Sequence, residues 1–96
     1  MCYTYYVRFE WDPVKAASNK RKHGVTFEEA AECFRDPFAL VLDDPLYPER
    51  FILIGASGRQ RVIFTVFVER EAALIRIISA RRATIGERRK YEEGDY

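Results

Sequence analysis

Several features common in metalloenzymes and membrane proteins are scarce or absent in this sequence. It has one histidine and two cysteines among 96 residues, and no glycine-rich phosphate-binding loop. Cys2 and Cys33 lack the spacing of a metal-binding or redox motif, and one pair is no disulfide framework. No apolar run approaches the ~20 residues of a membrane helix, and the first residues do not match a signal peptide. These absences argue against a zinc site, a Cys–His nucleophile and membrane association. They predict a cytoplasmic protein that uses neither a metal nor a cofactor.

The composition that is present is typical of one small globular domain. Hydrophobic residues make up 48% of the chain and charged residues 32%. Seven Phe, six Tyr and one Trp are enough for a small core. At this length we expect a single domain over residues 1–96.

The nearly neutral net charge of +1 conceals a segregation of charge along the chain. Residues 14–23 contain four basic side chains and no acid, residues 28–49 contain seven acids and one arginine, and residues 76–90 contain six basic side chains and one acid. If the fold brings the two basic segments together, they form a cationic face suited to a polyanion. A surface that is merely well solvated has the same charge density, so charge alone leaves both interpretations open.

Local signals predict a strand and a helix at the start of the chain. Alternating aromatic and apolar residues from 3 to 11 indicate a strand. Asp12 fits an N-cap and Pro13 fits the first helical turn. The helix should extend to about Lys22 and end at Gly24, which suits a left-handed C-terminal cap.

The remaining pattern predicts two more helices separated by four strands. Thr26 with Glu29, and Thr84 with Glu87, have the spacing of capping boxes at the starts of these helices. The strands are predicted at residues 40–42, 51–54, 61–68 and 73–81. The order β-α-α-β-β-β-β-α, with short turns between strands, predicts an α+β fold in which two N-terminal helices and a C-terminal helix pack on a mainly antiparallel sheet.

The first helix carries candidates for chemistry. His23, the only histidine, is placed at its C-terminal end, where an imidazole suits general acid–base catalysis but is also a common helix cap. Lys15, Asn19 and Lys22 follow the spacing i, i+4, i+7 and so share one helical stripe beside His23. Such a stripe suits contacts to phosphate and sugar, although a solvated helix face has the same pattern.

Two arginines are candidates for binding an anion. If the last hairpin has a three-residue loop at 70–72, Arg61 lies opposite Arg81 across the ladder. Facing arginines repel each other unless an anion lies between them, and guanidinium groups match phosphate geometry. A register shift of one residue would destroy this pairing. The neighbouring candidates are then Arg59, Arg76 and Arg82.

Two further features favour plain structural roles. Asp43 and Asp44 could bind a divalent cation, but directly before Pro45 a turn role is favoured. Tyr91, on the last helix, could approach a substrate, but covering the sheet is favoured.

Several blocks of the sequence, taken together, resemble the BrnT family of toxins. The N-terminal block follows that family's pattern W-D-x-x-K, then Asn, then K-H-G-V-[ST]-F-E-E-A. The matching residues are Phe9–Pro13, Lys15, Asn19, Lys22–Ala30, Arg50–Gly55, Arg76–Thr84, Glu87–Arg89 and Tyr91–Glu92. The chain departs from the pattern at Thr26, where Ser is frequent, and in an extension with extra tyrosines before Val7.

The resemblance implies a RelE-like fold and a bacterial ribonuclease toxin of a type II toxin–antitoxin system. It implies a BrnA-like antitoxin with a ribbon-helix-helix domain, which neutralises the toxin, and contact with operator DNA only through that antitoxin. The family's important histidine falls on His23, and an arginine falls on Arg81. A second arginine falls on Arg61 or a neighbour.

Residues and resemblance together lead to a hypothesis of metal-independent RNA cleavage. The RNA 2′-hydroxyl attacks the adjacent phosphate, His23 acts as general acid or base, and Arg81 with Arg61 stabilises the charge on the phosphoryl oxygens. The residues expected to bind RNA are Lys15, Asn19, Lys22, Arg76 and Arg82. The alternative is a non-catalytic module that uses the same basic face to bind a nucleic acid or a protein.

Overall fold

The computed structural model describes residues 7–71 and 73–94, which form three helices and five strands. In chain order these are β1 (Arg8–Glu10), α1 (Pro13–His23), α2 (Phe27–Glu32), β2 (Leu40–Asp43), β3 (Phe51–Ala56), β4 (Val62–Arg70), β5 (Leu74–Arg82) and α3 (Ile85–Glu93). A short 3-10 turn, Cys33–Arg35, follows α2. The element order and the α+β class are as predicted. The beginning of the predicted first strand, residues 3–6, lies outside the described residues.

The five strands form one sheet in the order β1-β5-β4-β3-β2. Strands β2 to β5 are antiparallel neighbours, whereas β1 pairs with β5 in parallel. The sheet is therefore mixed but mainly antiparallel. β1 pairs only with residues 74–76 of β5, so the rest of that edge of β5 lies beyond the end of β1. Helix α1 packs against β5.

The helices cover both faces of the sheet. Phe27 begins α2, and Phe34 lies in the 3-10 turn that follows it. Both are buried against one face together with Leu53 and Phe67. Because side chains alternate across a strand, the neighbouring positions of β3 face the other way. There a second cluster, formed by Leu40, Ile52 and Ile54, packs with Phe64, Val66 and Tyr91. Tyr91 thus covers the sheet, as expected.

The helix ends follow the local sequence signals closely. Oδ1 of Asp12 accepts a hydrogen bond from the backbone N–H of Val14 at 2.8 Å, and Gly24 caps α1 with φ of 68°. Thr84 and Glu87 form the complete capping box. At α2 only half of the predicted box forms: the hydroxyl of Thr26 accepts from the Glu29 N–H, but the Glu29 carboxylate binds other partners.

The predicted pairing of Arg61 with Arg81 is wrong. The β4–β5 hairpin closes with Arg70 opposite Leu74, and the ladder is then irregular because Ile78 has no partner on β4. Arg81 consequently lies opposite Phe64. Arg61 precedes the first residue of β4 and lies outside the ladder.

Candidate functional site

An open groove of about 370 Å³ lies where α1 meets β5. It is lined by Lys15, Ser18, Asn19, Lys22 and His23 of α1, by Arg50, and by Ile78 and Ser79 of β5. The groove brings together the basic stripe and the histidine that the sequence places side by side. None of these lining residues is acidic, so the charged side chains that line the groove are all of one sign. Such a surface favours the binding of an anion.

Helix α1 holds His23 at a well-defined end. The backbone N–H of Gly24 donates to the carbonyl of Lys20 at 2.8 Å, which closes the last turn. That turn consists of four basic residues, Lys20, Arg21, Lys22 and His23. Cations are favoured there because the C-terminus of a helix carries partial negative charge. His23 is exposed, so its imidazole is accessible to a ligand in the groove.

Asn19 attaches α1 to the open edge of β5. Its side chain is only 7% exposed. Nδ2 donates to the carbonyls of Ala80 (2.7 Å) and Val25 (3.0 Å), and Oδ1 accepts from the N–H of Ala80 at 3.1 Å. The amide predicted to contact RNA is thus used inside the protein. Asn19 borders the groove, and its side-chain hydrogen bonds link α1 to β5.

Arg61 is held by a buried carboxylate and lies outside the groove lining. Its Nε donates to Glu29 at 2.9 Å, and its Nη2 donates to the same carboxylate and to the carbonyl of Gly24 at 3.1 Å. The hydroxyl of Ser57 also donates to Glu29, at 2.7 Å. The hydrogen bonds from Arg61 are the main reason that the pKa of Glu29 is lowered despite its burial. Because Gly24 follows His23, Arg61 also fixes the chain beside the histidine.

Arg81 is likewise paired with a carboxylate. Nη1 and Nη2 donate to the two oxygens of Glu87 at 2.8 and 2.9 Å, and the guanidinium carbon lies 3.9 Å from the centroid of the Phe64 ring. These hydrogen bonds are the main cause of the lowered pKa of Glu87. Arg81 lies two residues after Ser79 on β5, and therefore close to the groove, but its guanidinium is already paired with Glu87.

The other predicted arginines also lie outside the groove lining. Arg76 donates to Glu10 at 3.1 Å, Arg59 is 3.9 Å from Glu29, and Arg82 is exposed at the end of β5.

Arg50 lines the groove instead, and sequence reasoning did not select it. It precedes β3, and β4 lies between β3 and β5 in the sheet. Only the pairing of three strands brings it near α1. The one sequence signal was its place at the start of the block Arg50–Gly55 that resembles the BrnT pattern.

Among the residues that the structure describes, no group of three His, Cys, Asp or Glu side chains could hold a metal ion. None of the described helices is long and apolar enough to span a membrane.

Comparisons with known proteins identify related sequences and structures. A family model described as the ribonuclease toxin BrnT of a type II toxin–antitoxin system matches residues 11–87. Among solved structures, the Brucella abortus ribonuclease toxin BrnT is 25% identical, with a TM-score of 0.66, over 81% of this chain and 97% of that chain. A comparison with curated proteins gave no match.

Proposed function

This chain belongs to the BrnT family of ribonuclease toxins of type II toxin–antitoxin systems, and from that premise we propose that it cleaves RNA in the groove between α1 and β5. The observation that carries the proposal is the composition of this groove. It combines an accessible histidine with Lys15, Lys22 and Arg50, and its lining contains no carboxylate.

The proposed reaction is a transesterification that requires no metal ion. The 2′-hydroxyl of one nucleotide attacks the adjacent phosphorus, the bond to the 5′-oxygen breaks, and the products carry a 2′,3′-cyclic phosphate and a 5′-hydroxyl. His23 transfers a proton at one of these two oxygens, a role that typically contributes about 10²- to 10⁴-fold in rate.

The lysines and Arg50 hold the phosphate groups and stabilise the charge that develops on the phosphoryl oxygens. Among the described residues, no carboxylate forms a salt bridge with Arg50, Lys15 or Lys22.

Arg61 and Arg81 are paired with Glu29 and Glu87. We therefore assign Arg61 a positioning role and give Arg81 a smaller electrostatic contribution than Arg50.

The test is cleavage of an RNA oligonucleotide by purified protein in the presence of a chelator, with analysis of the product ends. We expect cyclic phosphate ends from the unaltered protein and loss of cleavage in His23→Ala and Arg50→Ala. Lys20→Ala is the matched control, because Lys20 belongs to α1 but lines a different cavity, with Ala16 and Thr26. Full cleavage by His23→Ala would refute the catalytic assignment.

Lack of cleavage by every variant and by the unaltered protein would call for the same assay with translating ribosomes. If ribosomes restore cleavage of messenger RNA, the substrate is ribosome-bound. If they do not, the groove belongs to a binding module, and the proposed reaction is wrong.

A type II toxin has an antitoxin partner, and we propose a BrnA-like protein whose ribbon-helix-helix domain binds operator DNA. Its acidic residues would cover the cationic groove and so exclude RNA. Expression of the chain alone should arrest growth, and co-expression with the antitoxin should restore it. An antitoxin interface located entirely away from His23 would contradict direct occlusion.

A further inference from the structure

The loop between β2 and β3, residues 44–50, is closed by hydrogen bonds between its own residues. Oδ1 of Asp44 accepts from the backbone N–H groups of Leu46 (2.8 Å) and Tyr47 (3.3 Å), the turn role expected for this residue. The N–H of Arg50 donates to the carbonyl of Tyr47 at 2.9 Å, and the N–H of Asp44 donates to the carbonyl of Arg50 at 3.2 Å. Two prolines within the loop restrict it further.

This hydrogen-bonded loop presents two large side chains to solvent. Leu46 is 80% exposed and Tyr47 is 47% exposed. The guanidinium carbon of Arg50 lies 4.3 Å from the centroid of the Tyr47 ring, the geometry of a cation–π contact. An exposed aromatic ring whose position is set by a guanidinium group and a closed loop is prepared for a flat partner, because little conformational entropy is lost when one binds.

Arg50 belongs both to this loop and to the groove. Its side chain lines the groove together with Lys22 and His23, and the same side chain lies over Tyr47. The aromatic ring is therefore continuous with the surface on which we place the RNA backbone. A nucleotide next to the bound phosphate can reach the ring without a second binding surface.

Single-stranded RNA is bound by stacking its bases on aromatic rings and guanidinium planes next to cationic groups that hold its backbone. We propose that Tyr47, together with Arg50, forms a stacking site for one nucleobase of the RNA whose phosphates lie in the groove. The inference rests on the proposed function and adds to it a contact that binds a base through its flat face. Such a contact tolerates every base, since each has a π face.

A protein partner is the other class of molecule that an exposed tyrosine could bind. RNA is favoured because the side chain that contacts the ring is also part of a cationic groove without acidic lining residues. Binding of the antitoxin to the unaltered protein and to Tyr47→Ala is measured separately. This measurement distinguishes an RNA partner from a protein partner.

The experiment uses a short single-stranded RNA that is 2′-O-methylated throughout, so that it binds but cannot be cleaved, and that contains 2-aminopurine at one position. Stacking on Tyr47 should quench the fluorescence of this base, and the quenching should be lost in Tyr47→Ala. We expect Tyr47→Ala to weaken binding by about 5- to 150-fold. Tyr47→Phe, which keeps the aromatic face, and Leu46→Ala, which alters the neighbouring exposed side chain, should bind normally.

The outcomes separate this inference from the proposed function. If the protein cleaves unmodified RNA but Tyr47→Ala binds and quenches like the unaltered protein, the stacking site is wrong and the ribonuclease assignment stands. If quenching depends on Tyr47 but RNA is cleaved neither alone nor with translating ribosomes, the stacking site stands and the reaction is wrong. If Tyr47→Ala loses only antitoxin binding, the loop belongs to the antitoxin interface and the inference is overturned. If the unaltered protein does not bind the RNA, the stacking site is wrong, and the cleavage assays with and without ribosomes decide the proposed reaction.

Discussion

The side chain of Asn19 pairs with the backbone of Ala80 as a neighbouring strand would. Oδ1 accepts from the Ala80 N–H at 3.1 Å and Nδ2 donates to the Ala80 carbonyl at 2.7 Å. The amide satisfies both polar groups at an edge of β5 that β1 does not reach. Since backbone groups at a buried edge require partners, this contact determines where α1, and with it His23, lies against the sheet.

Replacing Asn19 with Ala should destabilise the protein strongly. The change leaves the buried polar groups of Ala80 and Val25 without their partners, at about 1–3 kcal/mol for each unsatisfied group. Urea unfolding at neutral pH measures the loss, with Lys20→Ala as an exposed control on the same helix. Equal stability of the two variants would show that the amide does not hold α1 to β5.

The pair formed by Glu29 and Arg61 predicts a stability that falls in acid. The pKa of Glu29 is lowered from its ordinary value of 4.5, mainly by the hydrogen bonds from Arg61. A carboxyl whose pKa is lower in the folded protein stabilises it fully above the unfolded value, and this contribution is lost as the pH falls through the folded value. The free energy of unfolding should therefore decrease below about pH 4.5.

Glu29→Gln should reduce this decrease, while Glu87, whose pKa is also lowered, retains part of it. Urea unfolding at neutral and acidic pH measures both. The control is Glu28→Gln, because Glu28 is an exposed neighbour in the same helix. An unchanged pH dependence in Glu29→Gln would contradict the assignment.

Releasing Arg81 from its carboxylate should strengthen RNA binding. Glu87→Gln removes the negative charge but keeps a side chain that can complete the capping box with Thr84. We expect the affinity for uncleavable RNA at low salt to rise by roughly 2- to 5-fold. Glu92→Gln, which alters the exposed Arg88–Glu92 pair on the same helix, should have a smaller effect. Weaker binding by Glu87→Gln would indicate that Glu87 is needed to orient Arg81.

The salt dependence of RNA binding should identify the cations that contact phosphate. Each lost phosphate contact lowers the slope of log K against log salt by about 0.7 for a single strand. Lys15→Ala, Lys22→Ala and Arg50→Ala should each show this decrease, and Lys20→Ala should not. A normal slope in Arg50→Ala would remove Arg50 from the phosphate site.

Much of the chain's local structure could be predicted because the signals act over a few residues. Asp12 caps α1 through an N–H two positions away, and Gly24 ends the same helix by adopting a positive φ. The stripe that carries Lys15 and Lys22, with His23 beside it, follows from helical periodicity alone. These relationships depend on residues close in the chain, so the element order and the basic face of α1 could be predicted without the tertiary structure.

The partners of the arginines were decided by the tertiary structure. A ladder irregularity at Ile78 and a hairpin that closes at Arg70 place Arg81 opposite Phe64 rather than Arg61. Local sequence does not specify a shift of register, yet each shift changes which side chains meet. Glu29 shows the same limit, since its spacing from Thr26 predicts a capping box, whereas Arg61, distant in sequence, binds its carboxylate.

The residues of the groove differ in the same way: some come together through local sequence and others only through tertiary contacts. His23 and the two lysines come from one helix, and their proximity was determined by sequence. Arg50 reaches them from the far side of β4. The Asn19 side chain is buried because it hydrogen-bonds backbone groups at the edge of β5 that β1 does not reach. Those two outcomes depend on strand pairing and on the need of buried backbone groups for partners, which only the folded chain satisfies.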